Sequence, residues 1–424
     1  MLSVLSKIFE KVLDKRLRRF FIKYNILTPD QHGYAANRST ESAAASLSEF
    51  IYKNLDDGLL VAGLFFDLSK AFDTLDSEFM KCKLHALGVR GNTLRLIMSY
   101  LANRKFCVDV EGSTSSVFVT NTGVPQGSVL GPLLFLLYIN DMPSYINADH
   151  LTLYADDTTA AVSASSGEGL TAKIEVVMSD FKAWCWSNKL VLNLEKTVII
   201  LFTPTKRKVI KLHLNNNCRL DNSTKFLGLY LDQNLTWENQ VDAVCKKLKN
   251  NFYLLLNIKT KFSRSSLITV YYALIYSHLN NNIILWGNSV GNRRVFVLQK
   301  RIIRLIFNLK PKHSCRTTFK TNSILPLPSI YILKTLLFIK ENLNLYPTNA
   351  ESHSYNTRER KMLVVPLHRT AKYELTPSYV GIKLYRHLPD YFRTLSKGAF
   401  KKQIKKLLKE KCYYSVEEFF ADKF

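Results

Sequence analysis

The chain has 424 residues, 47% hydrophobic and 22% charged, which suits a large enzyme with a buried core and argues against a disordered chain. Lys and Arg number 59 against 34 Asp and Glu; the resulting net charge of +25 favours a polyanionic partner, nucleic acid first, with a membrane surface or an acidic protein as alternatives. Seven cysteines, at positions 82, 107, 185, 218, 245, 315 and 412, are dispersed without a CxxC pair, which argues for reduced thiols and against a zinc finger or a disulfide framework.

Residues 1–24 alternate apolar and basic side chains at helical spacing, with charges arriving too early for a signal peptide. The longest apolar run, residues 129–139, is far shorter than the roughly 20 residues of a membrane span. A soluble chain is expected, nuclear and/or cytoplasmic, neither secreted nor membrane-spanning. Thr28 and Pro29 break the first helix, and residues 39–54 resume one from a Ser/Thr start. Residues 61–67 (VAGLFFD) read as a short buried strand, and 76–103 as two helices around Gly88 and Gly91. A hairpin is predicted over 105–110 and 117–122, then a helix over about 128–141. Residues 151–162 (LTLYADDTTAAV) read as two apolar strands meeting at a turn that carries two adjacent acids. A helix at 168–187 and strands at 197–202 and 225–231 complete an α+β pattern; from about 236 onward the chain reads as helical and more basic.

Asp67 closes the first strand, and Asp156 and Asp157 occupy the later turn. A single Asp at a strand end is usually a solvated turn residue. An adjacent pair between apolar strands is harder to dismiss, because like charges repel unless a cation lies between them. Two-metal phosphoryl transfer requires such a set of oxygen ligands, holding two Mg²⁺ ions about 3.5–4 Å apart.

The flanking sequence sharpens this reading. FFDLSKAFD (65–73), NTGVPQGSVLGPLLFLLYIND (121–141), LYADD (153–157), WSNKLVLNLEKT (186–197) and KFLGLYLD (225–232) follow one another in an order that resembles the successive palm motifs of reverse transcriptases. LSKIFEKVLDKRL (5–17), SYLANRK (99–105), IILWG (283–287) and LQKRIIRLIF (298–307) make the nearest resemblance that to non-LTR retrotransposons of the jockey type. The resemblance implies a right-hand polymerase: partial fingers at 1–60, a palm at 61–235 with a fingers insertion at about 76–120, a helical thumb at 236–345, and a basic C-terminal region at 346–424. It further implies two Mg²⁺ ions, replaceable by Mn²⁺, with an RNA template, a DNA primer or target DNA, and deoxynucleoside triphosphates as partners.

By the same resemblance Asp67, Asp156 and Asp157 are the metal ligands, with the Leu68 carbonyl completing the shell. Phe72 lies under the sugar and excludes a 2′-hydroxyl, although by position alone it reads as core. Gly123, Pro125, Gln126 and Gly127 form a loop supporting nucleotide and template, aided by the positive end of the helix starting near Ser128. Lys196 protonates the departing pyrophosphate, with a solvated surface lysine an equal alternative. Phe226, Leu227 and Gly228 grip the primer end, or are ordinary strand core. Lys246, Lys247, Lys249, Lys300, Arg301 and Arg304 are candidate phosphate contacts as a surface rather than singly.

QHGYAANRST (31–40) departs from the family's fingers motif, which reads Gln-x-Gly-aromatic-Arg: Ala35 stands where an arginine meets the triphosphate, and Arg38 is the candidate substitute. The sequence also begins inside the fingers, without an endonuclease region, so a shortened element product is expected. The leading reading is an RNA-directed DNA polymerase. The alternatives are a catalytically impaired nucleic-acid-binding remnant and, less well matched, a maturase of the group II intron type.

Overall fold

A computed structural model describes residues 3–35, 38–203, 219–352 and 360–424. Cys218, residues 36 and 37 of the QHGYAANRST motif, and part of the polar stretch at 346–357 lie outside the described residues. The chain divides into two compact units, Met1–Leu47 with Leu59–Asn222, and Ser48–Gly58 with Ser223–Phe424. The sequence places a soft boundary near 232–236. The compact units divide at 222/223, with the 225–231 segment in the helical unit.

The first unit begins with helices α1 (Val4–Lys23) and α2 (Thr40–Asp56), the latter continuing into the second unit. Strand β1 (Leu60–Phe66) follows, then helices α3 (Ser77–Ala86) and α4 (Gly91–Leu101). A run of short strands comes next: β2 (Arg104–Phe106), β3 (Asp109–Val110), β4 (Ser113–Thr114) and β5 (Phe118–Thr120). Helix α5 (Leu130–Tyr138), strands β6 (His150–Tyr154) and β7 (Asp157–Ala164), helix α6 (Gly167–Ser187) and strands β8 (Val198–Phe202) and β9 (Arg219–Leu220) complete it.

The main sheet has the order β6-β7-β1-β8-β9, with β1 antiparallel to both neighbours. All seven β1 residues are buried, as expected of an unbroken apolar run with a strand on each side. Helix α6 buries Leu170, Ile174, Val177, Met178, Phe181, Trp184 and Cys185, the spacing of one helical face. Its Phe181 ring stacks on Phe66 of β1 with centroids 3.9 Å apart. Helix α5 is apolar on all sides and buried from Leu130 to Tyr138 apart from Pro132, which makes it the core rod of the unit.

Two predicted elements change form. The single hairpin expected over 105–122 is two short ladders, β2 with β5 and β3 with β4. Its strands are almost wholly exposed, so no buried face fixes a continuous register. The strand expected at 225–231 is a hairpin of β10 (Ser223–Phe226) and β11 (Leu229–Asp232), because Leu227 and Gly228 both take positive φ, 48° and 81°. That pairing of angles closes a tight two-residue turn.

In the second unit, α7 (Glu238–Ile258) follows the hairpin, and the Asp232 carboxylate accepts the amides of Asn234, Thr236 and Trp237 at 2.9–3.1 Å ahead of it. A largely buried helix, Leu327–Glu341, packs against Pro377–His387 and Lys397–Lys411. The last of these buries Phe400, Ile404 and Leu408 and turns its lysines outward, the amphipathic pattern read from its sequence. Among the described residues no helix is long and apolar enough to cross a membrane. Cys82, Cys107, Cys185, Cys245, Cys315 and Cys412 form no disulfides.

Candidate active site

The register of the sheet sets the three aspartates at adjoining strand ends. Phe66 pairs with Thr158 and Tyr154 with Asp157, so Asp67, one residue beyond β1, comes level with the start of β7. Ala155 and Asp156 form the two-residue turn between β6 and β7, and Ala155 takes φ 55°, a left-handed conformation that costs a non-glycine residue about 1–2 kcal/mol. Segment 30–32 runs alongside β6: Leu153 donates to the Asp30 carbonyl at 2.9 Å and His32 to the Leu153 carbonyl at 2.7 Å.

Electrostatics ties the aspartates together. The Asp157 side chain reaches solvent, yet the bulk of nearby protein, then Asp156 and Asp67, raise its carboxyl above the ordinary 3.8. The opposing charge is Lys196, whose Nζ lies 3.7 Å from Asp67 Oδ2. Its loop is stitched to that of Asp67: Leu68 pairs with Leu192, Ser69 donates to the Val191 carbonyl at 2.8 Å, and Asn193 donates to the Asp67 carbonyl at 2.9 Å. Among the described residues, no three His, Cys, Asp or Glu side chains converge in a metal-holding arrangement.

The PQG loop docks on the segment after Asp67. Gly123 donates to the Leu75 carbonyl at 2.7 Å and Val124 to that of Phe72 at 2.9 Å. Gly123 has φ 76°, and a Cβ there would lie 2.7 Å from the Asp73 carbonyl oxygen, so the close approach requires glycine. Gln126 Nε2 donates to Asp73 Oδ1 at 3.0 Å, and the Arg104 guanidinium donates to the carbonyls of Thr122 and Gly123. Gly127, φ 75°, faces open space. Phe72 is half-buried and stacks on Phe135 at 4.5 Å, so it is partly the core residue that its position suggests.

One expectation fails. The N-terminal amides of α5 are not free for a nucleotide: Val129 and Leu130 donate to Glu10 Oε2 of α1 at 2.6 and 3.1 Å, with Glu10 itself buried. A carboxylate at a helix N-terminus satisfies its unpaired donors and its dipole together. The sequence could not reveal this, since the partners are over a hundred residues apart.

Arg38 donates to the Pro29 carbonyl and stands 3.3 Å from His32 Nε2. Burial, then Arg38 and His150, pull His32 down to about 4, so near neutral pH its ring is uncharged and can accept from Arg38. The structure thus brings Asp67, Asp156, Asp157, Lys196, Leu68 and the Phe72–Gln126 loops into one unit and commits Arg38 to its own segment.

Phe226, Leu227 and Gly228 belong to the second unit. There Phe226 is buried, Gly228 is open, and a cavity of about 310 Å³ beside the turn is lined by Lys225, Gly228, Tyr230, Lys246, Lys247 and His278. Two of the proposed phosphate contacts are already engaged within the unit: Lys300 lies 4.4 Å over the Phe296 ring, and Arg304 donates to the His313 carbonyl at 3.0 Å.

These features set acidic side chains at adjoining strand ends of an antiparallel sheet, and the comparison with known families supplies the class: the chain belongs to the family described as reverse transcriptase (RNA-dependent DNA polymerase), whose profile matches residues 1–231. It is 29% identical over 321 residues to a probable RNA-directed DNA polymerase from transposon BS of Drosophila melanogaster. It is 27% identical over 316 residues to the corresponding protein of transposon X-element, and 24% over 319 residues to the RNA-directed DNA polymerase from mobile element jockey, both from the same fly. Each alignment takes 72% of this chain and only 35% of the relative, so the chain spans about a third of the length of those relatives. Among solved structures it is similar to telomerase from Candida albicans in complex with a fragment of telomeric RNA, at 15% identity and TM-score 0.42, covering 72% of this chain and 56% of that one.

Proposed function

We propose that the chain is the polymerase segment of a non-LTR retrotransposon protein and extends a DNA primer on an RNA template. The observation that carries the reading is the gathering of Asp67, Asp156 and Asp157 at adjoining strand ends, beside Lys196, in a chain of the reverse transcriptase family. On this reading residues 1–60 are fingers, 61–235 the palm, 236–345 the thumb, and 346–424 a basic C-terminal region.

By chemistry the three carboxylates are hard-oxygen donors, and Asp156 and Asp67 crowd Asp157 electrostatically, which suits Mg²⁺ or Mn²⁺ even though the three side chains do not converge on one point in this structure. Asp67, Asp156 and Asp157, with the Leu68 carbonyl, would hold such ions, which supply charge neutralisation at the reacting phosphate and activate the attacking hydroxyl. The remaining work falls to the chain's own side chains. The primer 3′-hydroxyl loses its proton to solvent and forms the new bond to the α-phosphorus as the bond to pyrophosphate breaks. Lys196, held near Asp67, is positioned to hand a proton to the leaving group. Phe72, fixed by its stack on Phe135, closes the space a 2′-hydroxyl would need. Gln126, oriented by Asp73, offers an uncharged amide to the templated pair. The cavity lined by Lys225, Lys246 and Lys247 suits a phosphate backbone.

The test is primer extension on an RNA template, comparing the protein with Asp67→Asn and with the double variant Asp156→Asn/Asp157→Asn. Extension that needs Mg²⁺ or Mn²⁺, falling by about 10³-fold or more in each variant, supports the reading. Equal RNA binding without extension by any of the three overturns the polymerase and leaves a nucleic-acid-binding chain. In the active protein, Phe72→Val is expected to relax discrimination against ribonucleotides by on the order of 10–10²-fold, read from paired dNTP and rNTP incorporation rates.

A further inference from the structure

The turn carrying Asp156 is strained at Ala155, and the contacts that meet it there come from residues 31–33. Gln31 pairs with Leu153 of β6 as an isolated parallel bridge, which fixes its backbone against the strand leading into the turn. The residue is 2% exposed, and Oε1 accepts two amides, that of Gly33 at 2.7 Å and that of Ala155 at 3.3 Å. The two donors fix which end of the amide faces them, since only the oxygen accepts. Among the described residues Nε2 has no hydrogen-bond partner, and Oε1 is the end that bonds the turn. Gly33 completes the seat: a Cβ there would stand 2.5 Å from the Ala155 nitrogen and 2.9 Å from the Tyr154 carbonyl carbon, so only glycine lets the two backbones meet.

We propose that Gln31 is a positioning residue for the carboxylate turn, its Oε1 holding Ala155 in the left-handed conformation that aims Asp156 and Asp157, with Gly33 providing the close backbone approach. The proposal rests on reading those aspartates as cation holders. Side chains that orient a ligand without touching the ion typically change affinity by about 10–100-fold when removed. Here the restrained atom is a backbone amide, and the strain it holds down is intrinsic to Ala155. A glycine at 155 would adopt the same angle without help. Removing the brace and removing the need for it are therefore separable.

The experiment titrates Mn²⁺ into the full chain, reading free Mn²⁺ by electron paramagnetic resonance and thermal midpoint in parallel. It compares wild type, Gln31→Met, Ala155→Gly, the double variant Gln31→Met/Ala155→Gly, Gln31→Glu, and Asp156→Asn. Gln31→Met is expected to weaken Mn²⁺ binding by about 10-fold and to raise the Mg²⁺ needed for half-maximal extension in step. The double variant should return to within about threefold of Ala155→Gly. Gln31→Glu keeps an oxygen acceptor and, being buried, favours its protonated form, so it should stay within about threefold of wild type and serves if Gln31→Met does not fold. Wild-type Mn²⁺ affinity in Gln31→Met, with only its thermal midpoint lowered, overturns the proposal. So does a double variant no better than Gln31→Met, or a Gln31→Glu as weak as Gln31→Met. Unchanged Mn²⁺ binding in Asp156→Asn instead overturns the cation reading beneath it, whatever Gln31 does.

Discussion

Two of the hairpins among the described residues share a local device and end differently. The β6–β7 hairpin turns through Ala155 and Asp156, the β10–β11 hairpin through Leu227 and Gly228, each a two-residue loop whose first member is a non-glycine at positive φ, 55° and 48°. The first is built into a five-stranded sheet and roofed by Gln31 and Gly33. The second is an isolated two-strand ribbon, held at its base by Asp232 and by Gln240, which accepts from the Tyr230 amide at 3.1 Å, while a Cβ at Gly228 would meet nothing within 4 Å. The turn proposed to aim carboxylates is braced by tertiary contact. A turn proposed to follow a primer is anchored at its base and open at its tip.

The bracing comes from the N-terminal segment at more than one place. Segment 30–33 seats the carboxylate turn, and Glu10 satisfies the amides that open α5. If that is the right contrast, changes in the N-terminal segment should cost more than changes at the free tip. The largest expected effect is for Gly33→Ala, whose Cβ has backbone atoms at 2.5 and 2.9 Å. It should destabilise the first unit by about 2–3 kcal/mol, read by chemical denaturation. Glu10→Ala should follow, at about 1–3 kcal/mol, because two buried amides lose their acceptor. RNA binding by the folded protein should be unchanged; a specific gain of nucleotide affinity would mean that the freed α5 terminus can serve the nucleotide after all. Gly228→Ala should cost only the backbone penalty of φ 81°, about 1 kcal/mol, since its surroundings are open. A larger cost than for Gly33→Ala would break the comparison.

The smallest effect is electrostatic. Asp157 titrates above its unfolded value of 3.8, so between that value and its raised folded one the native state holds more protons than the unfolded state. Its contribution therefore weakens the fold as pH rises through that window. The thermal-midpoint difference between Asp157→Asn and wild type should grow in favour of the variant as pH rises from about 4, then level off. Saturating Mg²⁺ should shrink it, and a difference of the opposite sign would mean that the carboxylates are not crowded.

Much of this was legible from residue order alone. The apolar run of 61–66, the paired acids at 156 and 157, and the 3.6-residue spacing of α6 each specify a local element whose partners are largely interchangeable, since any buried face will do. The succession of motifs from Asp67 to Gly228 then carried the family and the identity of the candidate ligands. What the sequence could not determine are the contacts joining distant segments through one atom each: Glu10 to Val129 and Leu130, Gln31 to Ala155, Lys196 to Asp67. A carboxylate or amide has no periodicity, and its partner depends on how the strands register. The same holds for Phe226, Leu227 and Gly228, where a strand pattern concealed a turn. Propensity describes a residue's neighbours in sequence, whereas a brace or a turn partner is decided only when tertiary structure brings two backbones within hydrogen-bonding distance.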